Sequence, residues 1–291
     1  MFLSDRKRGD WDERFRRVAI RRVRKAARRL IEASESQLDE IVHETRKTIK
    51  RARSVARLSQ YALGNKRFRR VDERFQAAGR RISPLRDATI LIETLDRLIK
   101  TYGPARGDES IEALRRFLVA EKAAATTSSA SDGTFDEVES ILEKASRSLN
   151  RVRPRLDRES IARGLRTIER RSRRAFRDAV DSTSDERLHT WRKRMKDLRN
   201  ALEFLAGDEA GSGLESERLK EVQESAESLG EDHDLALLRG AAVDRFAGAN
   251  RDASIDEVVG WIDQRRGELY KRLIDSGRRI YRKKPDTIAS K

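Results

Sequence analysis

The sequence predicts an all-α protein of two antiparallel helical bundles, about four helices each, and three observations carry that reading. Apolar residues recur at helical spacing through most of the 291 residues, leaving the opposite face of each segment charged. Only four prolines interrupt the chain, and no alternating strand pattern flanked by hairpin turns occurs. Three segments of the first half also recur in the second at a nearly constant offset, the signature of an internal duplication. The expected product is a pair of bundles in a pseudo-two-fold arrangement.

A hydrophobic fraction of 37% supplies a core, while 40% of the residues are charged. Lys+Arg 66 against Asp+Glu 50 leaves +16 and a pI near 10.4. Such a balance favours a polyanionic partner (nucleic acid, an anionic membrane or a phosphate polymer) without choosing among them. With no cysteine, disulfides and thiolate metal sites are excluded. The opening "MFLSDRKRGDWDERF" has a charge by its fifth residue and no apolar core, so no signal peptide is expected. No apolar run approaches the roughly 18 residues of a spanning helix. The expectation is a cytoplasmic protein that is not an integral membrane one.

The first element is a helix from Trp11 to Ala33. At about 100° per residue, Phe15, Ala19, Ile20, Val23, Ala27, Leu30 and Ile31 gather on one side. Arg21, Arg22, Lys25, Arg28 and Arg29 fall on the other, with no acidic residue between Arg14 and Arg29. Solvated faces usually mix signs to gain pairs three and four residues apart. This face repels itself unless an anion covers it. After "SESQLDE" a second helix carries "VHETRKTIKRARSVARL", and "LGNK" breaks it. A third spans about Lys66 to Ile82, "SPLRD" opens a fourth that continues to Leu98, and a fifth runs from about Glu109 to Ala123. The Ala/Ser/Thr-rich stretch 124–134 reads as a linker between a first repeat, 11–123, and a second, 135–282.

In the second half a helix from Asp157 to Val180 places Ile161, Leu165, Ile168, Ala175 and Phe176 on one arc. Arg166, Arg170, Arg173, Arg174 and Arg177 share the opposite arc. Next comes "LHTWRKRMKDLRNALEFL", then two helices over about Arg218–Leu229 and Asp234–Phe246. A final helix from Ile255 to about Arg282 runs into a basic tail, 283–291.

The two histidine helices match position by position. His43 and His189 lie 146 residues apart (43 to 189), and the same shift carries Arg46 to Arg192, Lys47 to Lys193, Lys50 to Lys196 and Arg53 to Arg199. Within a residue of that shift, Val23 falls on Ile168, Ile31 on Phe176, and Arg86-Asp87 on His233-Asp234. Each helix buries one side and presents cations at i, i+3, i+4 and i+7 on the other, in rows about 5–6 Å apart. That geometry suits a linear chain of negative charges.

His43 is a poor candidate for a metal ligand or catalyst. Its helical neighbours Arg46 and Lys47 repel cations, no H-E-x-x-H pattern occurs, and Glu44 lies about 100° round the helix. Metal, cofactor and enzymatic chemistry are therefore not expected. Nucleic-acid binding fits the charge, but sequence-specific readout needs base-stacking aromatics or groove-facing amides. The basic faces nearly lack these, and Trp191 falls on an apolar arc. A polyanion without bases, such as inorganic polyphosphate, needs only cations. Ordinary solvated faces with a partly buried histidine remain the plain structural alternative.

These duplicated His-x-x-Arg-Lys helices, each followed by a helix beginning Arg/His-Asp, resemble the CHAD family, the conserved histidine α-helical domain. The resemblance covers about Trp11 to Arg282 and implies a single domain over 1–291. It implies paired four-helix bundles around a basic central cleft or pore, binding to inorganic polyphosphate, and association with polyphosphate granules. His43, Arg46, Lys47, Lys50, Arg53 and Arg57 match the first motif, and His189, Arg192, Lys193, Lys196 and Arg199 the second. The chain departs from the family pattern at Asp197, where a further basic residue is common, at Asn200, which replaces an aromatic, and at His233. Some relatives carry a fused triphosphate-processing barrel, but this chain has neither strands for one nor an ExExK signature. On this reading the histidines add charge below about pH 6.5, and the Asp87 and Asp234 carboxylates orient helix starts and neighbouring cations.

Overall fold

The computed structural model describes residues 8–102, 109–152, 154–207, 214–246 and 253–282, and no strand occurs among them. The chain opens with α1 (Arg8–Arg16) and α2 (Arg22–Ile31), joined by a π-helical stretch, Arg17–Arg21. Helix α3 (Leu38–Leu58) and the single turn α4 (Gln60–Leu63) lead to α5 (Asn65–Arg81), α6 (Ser83–Tyr102), α7 (Glu109–Ser131) and α8 (Thr134–Val152). Then follow α9 (Arg158–Asp181), α10 (Asp185–Ala206), α11 (Leu214–Gly240), a second π-helical stretch at Ala241–Phe246, and α12 (Ala253–Tyr281).

Helix α3 packs on α2, α5 and α10, and α8 lies across α2 and α5. On the other side α9 packs on α10, α10 on α11, and α11 on α12. The α6–α7 pair joins the two groups, with α6 against α3 and α11 and α7 against α12. Phe15, Val23, Leu30, Ile49, Val55 and Phe75 from one group join Trp191, Leu198, Leu229 and Ile262 from the other in one continuous core. Helical periodicity in the sequence placed Phe15, Val23 and Leu30 of α1–α2 on the buried arc, as they are here. Each fully buried side chain of this size stabilises by roughly 1.5–3 kcal/mol relative to exposure.

The expected boundary at 124–134 is not a linker. Helix α7 continues to Ser131, because Thr126 and Thr127 satisfy their hydroxyls within it, donating to the carbonyls of Lys122 and Ala123 at 3.0 and 3.1 Å. A tight turn follows, with Gly133 at φ 71° and Asp132 accepting from the Thr134 backbone N–H at 3.0 Å. Helix α8, which that boundary assigned to the second repeat, packs on α2 and α5 of the first.

The two helices expected over 218–229 and 234–246 are instead unbroken, as α11 to Gly240 and the π-helical stretch that directly continues it. In the first half the matching segment is split at Ile82, where Ser83-Pro84 starts α6. Proline fits a first helical turn but not a helix interior, and the second half has none at the matching place. Asp234 consequently sits in mid-helix and marks no helix start. Ile31, expected on the apolar arc, ends α2 and is 48% exposed. No described helix is long and apolar enough to cross a membrane. The expected basic tail, 283–291, lies outside the described residues.

Candidate functional site

The two histidine helices, α3 and α10, meet as antiparallel neighbours. Asn200 donates to the Ser54 hydroxyl at 3.1 Å where they cross, and both are buried. Arg57 pairs with Asp197 at 2.5 Å on one side of the crossing, and Arg51 with Glu203 at 3.5 Å on the other. A shift of 146 residues turns the first ion pair into the second with the charges exchanged and maps position 54 onto position 200. This is the pattern that an approximate two-fold axis at the crossing produces. The sequence departures at Asp197 and Asn200 are thus partners across the interface.

Arg53 and Arg57 are anchored by acids. Arg53 holds Asp72 of α5 bidentately at 2.9 and 3.3 Å, and Arg57 bridges Asp72 at 3.2 Å to Asp197. Burial alone would raise the Asp72 carboxyl, but the hydrogen bond from Arg53 and the charges of Arg57 and Arg53 outweigh it and hold the group below its ordinary value. Arg57 is only 7% exposed, so it is a structural cation rather than a member of an exposed row.

Beside this network a cavity of about 600 Å³ opens between α3 and α10. Arg46, Lys50, Arg53 and Arg57 line it from α3, and His189, Arg192, Lys193 and Lys196 from α10. Arg46 and Arg192 are each steadied by one acid, Asp87 of α6 at 3.3 Å and Asp234 of α11 at 3.8 Å. The orienting role expected of these aspartates toward neighbouring cations is thus visible in both halves. Lys50 and Lys196 differ from their neighbours. Neither ammonium has a hydrogen bond or an ion pair within 4 Å among the described residues. Lys50 keeps contact with water along its length but stands in a cleft wall. Burial, then the charges of Arg46 and Arg192, push its ammonium down to about 8. Burial, then Arg192 and Lys50, push Lys196 down to about 6.

The histidines do not titrate where the sequence suggested. His189 and His233 bring their Nδ1 atoms to 3.1 Å, which requires one neutral ring to donate and the other to accept. Burial and then Lys193 and Arg192 lower His189 to about 4, and burial and then Arg192 and His189 lower His233 to about 3. His43 is also lowered, by burial and then by Arg86. His189 and His233 therefore stay neutral at pH 6.5, because burial and the surrounding cations both penalise a further charge. His43 and Lys47 lie outside the cavity wall, and Lys47 is 3.1 Å from Glu44. Arg199 pairs with Glu203 at 3.3 Å and lines an adjoining concavity with Lys196, Arg97, Glu227 and Asp234.

The basic rows of α2 and α9 do not join this cavity. Their apolar stripes face α3 and α8 in one case and chiefly α10 in the other, and none of the arginines in these rows lines the cavity. Arg22, Lys25 and Arg29 line a separate groove against α3, Arg21 pairs with Glu13 at 2.5 Å, and Arg28 is exposed. On α9, Arg170 reaches Thr167 at 3.5 Å, Arg173 lies 6.0 Å above the Tyr281 ring, and Arg174 is 4.0 Å from Asp178; Arg166 is half-buried and Arg177 exposed. Conversely, Gln76, Arg80 and Arg194 line the cavity without having been singled out. Gln76 and Arg80 share a face with Asp72 at i+4 and i+8, a signal readable once Asp72 is known to face α3.

The CHAD domain family matches residues 18–243. The fold is similar to the crystal structure of the CHAD domain from the plant Ricinus communis, at 19% identity and a TM-score of 0.57, over 92% of this chain and 90% of that one. It is also similar to PptA from Streptomyces chartreusis, at 14% identity and a TM-score of 0.63, over 94% of this chain and 99% of that one. None of the curated proteins matches the sequence. An all-α fold with the paired histidine helices at its centre, matched by the family over residues 18–243, places the chain in the CHAD domain family.

Proposed function

We propose that this protein binds inorganic polyphosphate, without catalysing a reaction, in the cavity between α3 and α10, and that the cavity is the central basic cleft of the family. The observation that carries the proposal is the pair Lys50 and Lys196, two crowded ammonium groups with no ion pair within 4 Å among the described residues, for which neighbouring cations outweigh the more distant carboxylates. Concentrating such cations is costly in the free protein and becomes favourable when an anion enters, so the site is organised for a ligand rather than for stability. Arg46 and Arg192 are held in place by single acids and keep further guanidinium donors for phosphate oxygens. The family's association with polyphosphate supports the ligand class, and polyphosphate granules are the proposed location.

The competing reading is backbone-only binding of nucleic acid, favoured by the +16 charge and the exposed Arg170, Arg174 and Arg177 of α9. Competition separates the two: labelled long-chain polyphosphate is displaced by polyphosphate, duplex DNA or RNA at matched phosphate concentration and fixed salt. The expected result is displacement by polyphosphate well before either nucleic acid; equal competition by duplex DNA refutes selectivity. Lys50→Ala with Lys196→Ala should weaken polyphosphate binding at least tenfold, since a charge-assisted hydrogen bond contributes about 1.5–3 kcal/mol. Unchanged affinity in that variant moves the site elsewhere.

A further inference from the structure

On the face of α3 opposite the cavity, a second concavity of about 350 Å³ lies between α2 and α3. The two walls of α3 are distinct. Arg46, Lys50 and Arg53 face the cavity, whereas Glu44, Thr48 and Arg51 face the groove, about half a turn round at about 100° per residue. No residue lines both.

The groove's cations come chiefly from α2. Arg22, Lys25 and Arg29 are exposed and line it in i, i+3, i+7 order, spanning about 10 Å along the helix. Their neighbours Arg21 and Arg24 are turned to Glu13 and Glu143, while these three have no ion pair within 4 Å among the described residues. Arg51 adds a fourth positive charge, partly engaged by Glu203 at 3.5 Å. The one carboxylate in the wall, Glu44, is 3.1 Å from the Lys47 ammonium. Thr45 and Thr48 supply wall residues with hydroxyls. A one-signed row about 10 Å long, with no aromatic side chain in the wall to stack a base, suits a thin, unbranched anion.

We infer that the α2–α3 groove is a second, independent anion site, which takes a short linear phosphoanhydride chain of about three or four phosphates. It shares its ligand class with the proposed function but none of its residues. Such a ligand fits the roughly 10 Å row, presents oxygens on every side to Arg and Lys, and needs neither aromatic stacking nor a base-reading amide.

Calorimetric titration of the full chain with tripolyphosphate at fixed ionic strength tests this. The unaltered protein should bind two equivalents. Arg22→Gln, Lys25→Gln and Arg29→Gln together should leave one, with helicity unchanged, since glutamine keeps the helix propensity of these exposed positions. Lys50→Gln with Lys196→Gln should also leave one, and both sets together none. The inference is overturned if the α2 variant titrates like the unaltered protein, or if the Lys50/Lys196 variant loses both equivalents. A Lys50/Lys196 variant that keeps both equivalents, beside an α2 variant that loses one, refutes the proposed cavity function while the groove stands. A single-stranded oligonucleotide of equal phosphate count that binds the groove as tightly as tripolyphosphate overturns the phosphoanhydride assignment.

Discussion

Arg57 and Lys196 are both crowded cations at the α3–α10 interface, yet they have opposite consequences for stability. Arg57 bridges Asp72 and Asp197, which keep Arg53 and Arg194 as their remaining cations when it is removed, so Arg57→Ala loses the charge-assisted bridge alone and should cost about 1.5–3 kcal/mol in denaturant unfolding. Lys196 has no such partner, and Lys196→Met should stabilise the fold while weakening phosphate binding. The gain depends on pH. The Lys196 ammonium titrates at about 6 in the folded chain against an ordinary lysine value of 10.5, so folding disfavours its proton. The penalty is absent above pH 10.5, grows as pH falls toward 6 and is constant below. Stability curves of Lys196→Met and the unaltered protein should therefore converge at high pH and separate most below pH 6; parallel curves refute the account. Binding has the mirror-image dependence, because an anion in the cavity favours the charged lysines. Polyphosphate affinity should rise as pH falls from 9 to 5, through Lys50 at about 8 and then Lys196 at about 6, with proton uptake measurable in buffers of different ionisation enthalpy. His189 and His233, at about 4 and 3, contribute only at still lower pH. A binding profile that steps only near pH 6.5 and survives Lys196→Met would restore the histidine reading.

Helix-on-helix contacts decide what glycine may become. A Cβ at Gly164 of α9 would overlap the carbonyl oxygen of Leu58 at the end of α3. Gly164→Ala must therefore push the two helices apart and should cost about 1–3 kcal/mol. Gly260 in α12 is exposed and meets nothing within 4 Å, so Gly260→Ala should raise stability by up to about 1 kcal/mol through helix propensity alone. Thermal unfolding should move in opposite directions for the two variants. The same distinction between local and distant causes separates what was legible in the sequence from what was not. Periodicity located α3 and α10 and their buried arcs, because burial of Ile49, Val55, Trp191 and Leu198 is written at 3.6-residue spacing. It also identified the cavity cations Lys50, Arg192 and Lys196, whose faces follow from the same periodicity. It did not reveal that Arg57 is held by acids 15 and 140 residues away, or that the rows of α2 and α9 lie outside the cavity, because both depend on which distant neighbours cover each face. The Ala/Ser/Thr stretch read as a linker because hydroxyls that compete with the backbone elsewhere are satisfied inside α7.

Across the whole molecule, two cationic sites on opposite faces of one helix make binding depend on ligand length in a way that bulk charge does not. A net charge of +16 attracts any polyanion, and that attraction grows smoothly with the number of phosphates. Two separated sites add a threshold. A helix with its side chains is about 10–12 Å across, so a chain joining cavity and groove must cover at least half its circumference, on the order of 17 Å, besides the lengths seated in each site. Shorter chains occupy the sites separately. Once a chain spans both, the second contact becomes intramolecular at millimolar effective concentration, and avidity should exceed either site's affinity by roughly 10² or more. Affinity measured across a ladder of defined chain lengths should therefore be nearly flat, then climb steeply over a few added phosphates, then level off. Removing either set of cations, Arg22/Lys25/Arg29 or Lys50/Lys196, should abolish the step while leaving the short-chain affinity of the intact site unchanged. A smooth rise with length in the unaltered protein, indifferent to which set is removed, would mean that net charge alone governs the interaction and that the two sites never share a ligand.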